Sequence, residues 1–317
     1  MVLLILFDIK GRRIEHKNLH KVNETQFGFI LVIAAALVWS TYGLFVKAID
    51  CSPLLIVFSR YFFGFTGLLG FTIARHRFGW VRSSLPYTRM ILLPAFLTGF
   101  SWLLYTYALN HTLIANAAFL TYTAPVFPII FAIFIIKEKL EPKSAIALGL
   151  ALLGALAIMG YNTTFFSEAE LKGDIYALLA GITGGLIISY VKKIPAALPG
   201  FIVNLILSGL ICVAFLPFSL TAGGFGGWRN FGLLALMGLL HQAVGTTLFY
   251  TGLRRIKAQH SAILTYIDPL VATILAAVVL AEKITIGSTI GGLLIIASGV
   301  IIVLEKRTTP ALEKVKL

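Results

Sequence analysis

The sequence predicts an all-α integral membrane protein of ten transmembrane helices, arranged as two inverted five-helix repeats. Three observations carry this. Of the 317 residues, 58% are hydrophobic and only 12% charged; the apolar residues fall in ten continuous runs; and residues 117–139 resemble residues 261–283. Average soluble domains carry roughly 25% charged residues, so an ordinary water-soluble globule and a disordered chain are both excluded. Two cysteines, Cys51 and Cys212, are too few for a metal cluster or a disulfide framework. The net charge of +13 would suggest nucleic acid in a soluble protein. In a chain this apolar it directs attention to the membrane instead, and no nucleic-acid partner is expected.

The first element is a tail, residues 1–26. Its apolar run, Val2 to Phe7, has no basic region before it and leads into Asp8, Lys10, Arg12 and Arg13. A secretory signal needs a charged start and an apolar run of about 7–15 residues, so the tail reads as cytoplasmic. A helix crossing a hydrocarbon core of about 30 Å needs roughly 20 mostly apolar residues. Ten segments qualify: 27–49, 53–74, 90–109, 112–136, 143–160, 173–192, 198–218, 230–253, 258–281 and 285–304. They are continuously apolar rather than alternating, which favours helices over a barrel. The longest internal connection, 75–89, is Arg-rich and contains Trp80 and Pro86. Residues 305–317 form a second tail.

Orientation follows from the basic residues, which accumulate on cytoplasmic flanks. The two tails and the even-numbered connections hold 21 of the 26 Lys and Arg residues, the opposite side holds four, and Arg60 lies within a span. Both termini are therefore expected in the cytoplasm, with the chain multi-pass in the cytoplasmic membrane.

Shifting the sequence by 144 places residues 117–139 on 261–283 with nine of 23 positions identical. The matches include Thr121/Thr265, Tyr122/Tyr266, Pro125/Pro269, Glu138/Glu282 and Lys139/Lys283, a set that apolar composition does not produce by chance. The halves 27–160 and 173–304 each hold five spans. Five is odd, so the second half lies upside down relative to the first, a design that places a binding site near the midplane between halves. Ten spans in a five-plus-five duplication, with Pro125 and Pro269 each followed thirteen residues later by Glu138 and Glu282, resemble the drug/metabolite transporter superfamily and its EamA-type members. The resemblance implies a central cavity among spans 1, 3, 4, 6, 8 and 9, with spans 5 and 10 packed at the periphery. It also implies export of amino acids, other metabolites or drugs.

Charge deep in a bilayer costs about 2.5–3.5 kcal/mol on insertion scales. Arg60, Asp268 and His241 are therefore the candidates that need a reason. Asp268 lies ten residues into span 9, roughly 15 Å deep, and His241 eleven into span 8. Arg60 sits seven residues after Pro53, about 10 Å below the outer face. Pro269 follows Asp268 and is expected to leave the Thr265 carbonyl without its helical donor. Asp268 reads either as a substrate-ammonium partner or proton carrier, with His241 as relay, or as a structural partner of Arg60 or His241. The matching repeat position is Ala124, so the acid is not shared by the two halves. Arg60, Glu138 and Glu282 read as structural, capping or gating charges.

An aromatic and amide set surrounds them. Trp39, Tyr42, Trp102, Tyr105, Asn116, Tyr122, Gln242 and Tyr266 join His241 and Asp268 as candidate substrate contacts. Ligand pockets are mostly apolar with a few placed polar groups, and Trp or Tyr faces can hold a cation; the competing reading is helix packing. Small residues at helical spacing, Ala147/Ala151/Ala155, Gly181/Gly185 and Gly287/Gly291, let helices approach closely. They predict intramolecular packing first and a homodimer second.

No P-loop, H-E-x-x-H or G-x-S-x-G motif occurs. No cofactor, metal or catalytic residue is expected. The leading expectation is a secondary carrier, most simply an exporter, moving a small metabolite with protons as a candidate co-substrate and lipid as its surroundings. An integral-membrane enzyme using Asp268 and His241 as acid and base lacks a nucleophile at that depth. A non-transporting receptor or scaffold would bind a ligand without flux.

Overall fold

The structure, a computed structural model, describes residues 24–111, 120–121, 126–159, 171–195, 198–280 and 286–304. Every regular element among them is helical. The first expected span is α1 (Glu24–Trp39) and α2 (Tyr42–Ala48); the second is α3 (Pro53–Ala74). The Arg-rich connection contains a helix, α4 (Phe78–Ser84), and a short 3-10 turn that runs into α5 (Thr88–His111). Then come α6 (Val126–Ile135), α7 (Pro142–Met159), α8 (Leu171–Lys193) and α9 (Gly200–Ser219). The eighth expected span is α10 (Trp228–Met237), a π-helical segment Gly238–Gly245, and α11 (Thr246–Leu253). The chain continues through α12 (Ala258–Leu264), α13 (Ile267–Leu280) and α14 (Ile286–Val303). Among the described residues, six helical stretches are long and apolar enough to cross a membrane: Glu24–Val46, Pro53–Ala74, Phe78–Ala108, Leu171–Lys193, Gly200–Ser219 and Trp228–Leu253.

Side chains explain where helices start and break. Ser52 caps α3, its hydroxyl accepting the Leu55 amide at 3.4 Å, and Pro53 takes the first helical position where its missing donor costs nothing. The first span breaks at Ser40 and Thr41, whose hydroxyls donate to the Leu37 and Val38 carbonyls at 2.7 and 2.8 Å. Such local bonds compete with the helical ladder. The ninth span breaks at Thr265 and Tyr266, and Pro269 falls in the first turn of α13, where proline is tolerated. The expectation of a stranded Thr265 carbonyl needs correcting: the Asp268 amide donates to it at 3.0 Å.

Packing pairs helices from the two halves of the chain. α5 lies along α8, α7 along α14, α3 along α9 and the π segment, α1 along α11, and α6 against α8 and α12. Between α7 and α14, Ala147, Ala151 and Ala155 are buried, and a Cβ on Gly154 would stand 2.7 Å from the Gly291 carbonyl oxygen. The small-residue stripe of span 5 thus packs intramolecularly. Gly238 lets the π segment approach α3, since a Cβ there would meet the Arg60 carbonyl oxygen at 2.9 Å.

Charged contacts cross between halves at one end. Glu138 Oε2 accepts the Ala258 amide at 3.2 Å, capping α12, and Glu138 Oε1 accepts Gln259 Nε2 at 3.1 Å. Lys257 and His260 flank Glu141, His260 at 3.3 Å, and Arg255 pairs with Glu24 at 2.9 Å. Lys192 donates to the Leu253 and Ile256 carbonyls, a cation at the C-terminus of α11 where the helix dipole favours it. The opposite end is tied by Ser52 donating to Ala222 O at 2.8 Å, Asn230 to Asp50 O at 3.1 Å and Arg229 to Ala48 O at 3.1 Å.

Candidate functional site

The two helix breaks and the π segment gather the candidate residues. Tyr42 is the first residue of α2, immediately after one break; Asp268 is the second of α13, immediately after the other. Trp102 and Tyr105 stand three apart on α5, one above the other on the same face. His241 and Gln242 lie within the π segment, a geometry that recurs at functional sites.

Arg60 is the centre of this group. It is only 2% exposed, and its Cζ lies 3.8 Å from the Trp102 ring centroid, 5.1 Å from Tyr42 and 5.9 Å from Tyr61. Its Nε and Nη1 have no hydrogen-bond partner among the described residues. Arginine does not give up its proton in a protein, so this is a buried full charge held by aromatic faces. Its positive field reaches both Asp268 and His241, yet no direct ion pair joins it to either side chain. Asp268 is half-buried, and its carboxylate has no side-chain partner among the described residues. Asp268 also lies within electrostatic reach of Tyr105, which contacts Trp102 edge-on at 6.0 Å. Tyr42, Trp102 and Tyr105 are half-buried, so the aromatic strip beside Arg60 is partly open.

His241 is fully buried and edge-on to Tyr42 and Phe45, at 5.6 and 5.1 Å. Its Nδ1 stands 3.1 Å from the Met237 carbonyl and its Nε2 2.9 Å from Thr41 Oγ1. A carbonyl only accepts, so Nδ1 carries a hydrogen. Trp39 donates through Nε1 to the His241 carbonyl at 3.3 Å, fastening the first break to the π segment.

Other candidates are placed elsewhere. Gln242 is 1% exposed and its amide is engaged with α9, donating to Asn204 Oδ1 at 2.8 Å and Ser208 Oγ at 3.0 Å. Asn204 donates back to the Gln242 carbonyl at 2.7 Å. Tyr266 is fully buried against Ala151, Ala155 and Ile295, towards α7 and α14. Glu138 is the cap of α12 described above. Asn116, Tyr122, Pro125 and Glu282 lie outside the described residues, as does the side chain of Pro269.

Sequence reasoning passed over Thr41 and Asn204, although an amide in an apolar span is a polar group that must find a partner there. It also passed over Asp174, fully buried near the start of α8, because a span end does not attract suspicion. Outside the spans, burial and then the neighbouring Arg255 hold Arg254 down at about 10, and burial with Asp50 beside it pushes the Cys51 thiol up. No group of three or more His, Cys, Asp or Glu side chains that could hold a metal occurs among the described residues.

Known proteins share this architecture. A solved crystal structure superposes with a TM-score of 0.74 at 18% identity, covering 86% of this chain and 95% of that one. A protein of Archaeoglobus fulgidus named as an uncharacterized transporter is 28% identical over 278 residues, 87% of this chain and 96% of that protein. A Clostridium kluyveri protein of the same printed name is 28% identical over 218 residues, 66% of this chain and 70% of its own. The uncharacterized transporter YojE of Bacillus subtilis is 25% identical over 265 residues, 80% of this chain and 85% of its own. The model of the EamA-like transporter family matches twice, over residues 26–160 and 171–304. With most of the chain covered, and with helices of membrane-crossing length, the protein is a multi-pass membrane transporter, not an enzyme, and belongs to the EamA-like transporter family.

Proposed function

We propose that the protein is a secondary carrier that exports a small metabolite, an amino acid or similar amphipathic or cationic compound, by alternating access across the cytoplasmic membrane. Ten spans form two inverted halves, 27–160 and 173–304, with both termini in the cytoplasm. The observation that carries the reading is the convergence of Tyr42, Trp102, Tyr105, Arg60 and His241 beside the first helix break and the π segment, with half-buried Asp268 at the second break. Interrupted helices near a midplane are how carriers expose backbone and polar groups to a solute. The helix pairing supports the inverted halves. Spans 3 and 6 pack together, as do 8 and 1, and an exchange of halves turns one pair into the other; the pairs 2 with 7 and 5 with 10 turn into themselves.

His241 and Thr41 supply a proton-sensitive contact. The Thr41 hydroxyl has one proton and faces two acceptors, Val38 O at 2.8 Å and His241 Nε2 at 2.9 Å. A neutral ring competes for that proton. A protonated ring donates to Thr41 instead and leaves the hydroxyl to Val38, tightening the first break. Asp268 is the second proton candidate.

Flux from proteoliposomes tests the reading. A panel of amino acids, amines, nucleobases and sugar phosphates, with and without a pH gradient, is expected to reveal carrier-dependent movement. No flux for any solute would sink it. Asp268→Asn is expected to abolish proton coupling or ammonium recognition; unchanged kinetics across pH would make Asp268 a structural residue.

A further inference from the structure

Arg60 is an unusual possession for such a site. An isolated charge taken from water costs several kcal/mol per ion even after relaxation, and proteins normally answer it with a carboxylate or a full set of acceptors. Here the answer is incomplete. The ring faces of Trp102 and Tyr42 stabilise the guanidinium, while Nε and Nη1 face no acceptor among the described residues. A guanidinium with unanswered donors suits a carboxylate, which accepts charge-assisted hydrogen bonds from it. The opposite charge nearby, Asp268, is not close enough to pair with it and keeps its own carboxylate free. The half-buried ring of Trp102 lies against Arg60, and that of Tyr105 contacts Trp102 edge-on.

We propose that Arg60 is the substrate's carboxylate anchor, so that the carrier requires an anionic head group and selects zwitterionic amino acids over the corresponding amines. The inference rests on the carrier reading above and sharpens it. A solute bearing only a cation would gain Asp268 and the aromatic faces but would meet the positive field of Arg60. A solute bearing both charges answers the unpartnered guanidinium donors and the free carboxylate together, with its side chain against the rings. Neither acid alone nor amine alone does so. Arg60 is a specificity-determining residue because it touches the solute, and its role differs from that of a buried structural charge, which would already be paired.

The test compares each of the twenty proteinogenic amino acids with its decarboxylated amine in proteoliposomes of the full-length protein. For the transported amino acids, wild type is expected to show half-saturation at least tenfold lower than for the amines. Arg60→Gln is expected to raise the half-saturation concentration for those amino acids at least tenfold and to narrow the gap to the amines. Arg60→Lys, which keeps the charge and loses the fork, is expected to fall between. Amines carried as well as their amino acids overturn the proposal, as does an Arg60→Gln protein with wild-type amino-acid kinetics. Wild-type flux of other panel solutes but of no amino acid also overturns it, while leaving the carrier reading intact. If Arg60→Gln fails to fold, the wild-type comparison decides alone. Absence of all flux is the distinct outcome that removes the carrier reading itself.

Discussion

Arg60 shows what a lone residue can and cannot announce. Its presence in an apolar span was legible in the sequence, and so was the need for a reason, because every full charge at that depth is costly. The nature of the reason was not. A one-dimensional pattern offers Asp268 as the natural partner, and only three-dimensional placement leaves the two unpaired. The unmatched donors should make the empty protein less stable than it need be. Arg60→Met, similar in length and uncharged, is therefore expected to melt in detergent at or above the wild-type temperature without solute. The lost ring contact, up to ~2 kcal/mol, sets the opposing effect, and a clear drop would assign Arg60 a structural role. Gln242 gains a second reading from its placement. An amide near mid-span suggested substrate, but its donors serve Asn204 and Ser208. Asn204→Leu should thus loosen α9 from the π segment and cost about 1–3 kcal/mol, since Gln242 is left buried with lost partners; unchanged thermal stability would contradict this.

At the scale of the element, boundaries followed from chemistry that a reader of the sequence can use. Ser52-Pro53 opens α3 at the expected residue, and Pro269 signals the interruption of span 9. The interruption of span 1 was hidden, because Ser40 and Thr41 are ordinary helix residues until their hydroxyls bond back to the preceding turn. The π segment was hidden too, since no residue type encodes an i to i+5 bond. The small-residue stripe of span 5 was legible as close packing, and α14 is its partner. Gly154 meets backbone there, which cannot give way as a side chain does. Gly154→Ala is expected to push α7 off α14 and cost about 1–3 kcal/mol. Thermal melting in detergent checks it, and a neutral result would show that the pair has slack. Glu138→Ala removes the carboxylate that caps α12 from the connection between α6 and α7 and should cost about 1 kcal/mol, read as a lower melting temperature in detergent.

For the molecule as a whole, composition was the surest guide. Large apolar side chains cover the exterior, among them Phe134 at 76% exposed, Val213 at 74% and Val278 at 78%. Water would not tolerate such a surface, whereas lipid does. The distribution of Lys and Arg predicts which end faces the cytoplasm. Intact cells expressing a cysteine-free protein with Gly224→Cys should react with a membrane-impermeant thiol reagent, and cells with Arg77→Cys only after permeabilisation. The reverse pattern would invert the topology. Gly224 suits this because open space surrounds it.

The ties at the two ends differ in kind. One end is clasped by carboxylate–cation pairs, Glu24 with Arg255 and Glu141 with Lys257; the other is held by hydrogen bonds to backbone carbonyls. Dissolved ions shorten the reach of exposed charges from about 8 Å at physiological strength to about 3 Å at 1 M, and barely touch a hydroxyl bonded to a carbonyl. Salt on one face of the membrane is therefore expected to weaken the ties at one end more than those at the other. In the carrier proposed above, the two exits would then answer to different solvents, and the ionic strength of a single compartment would bias the direction in which it opens.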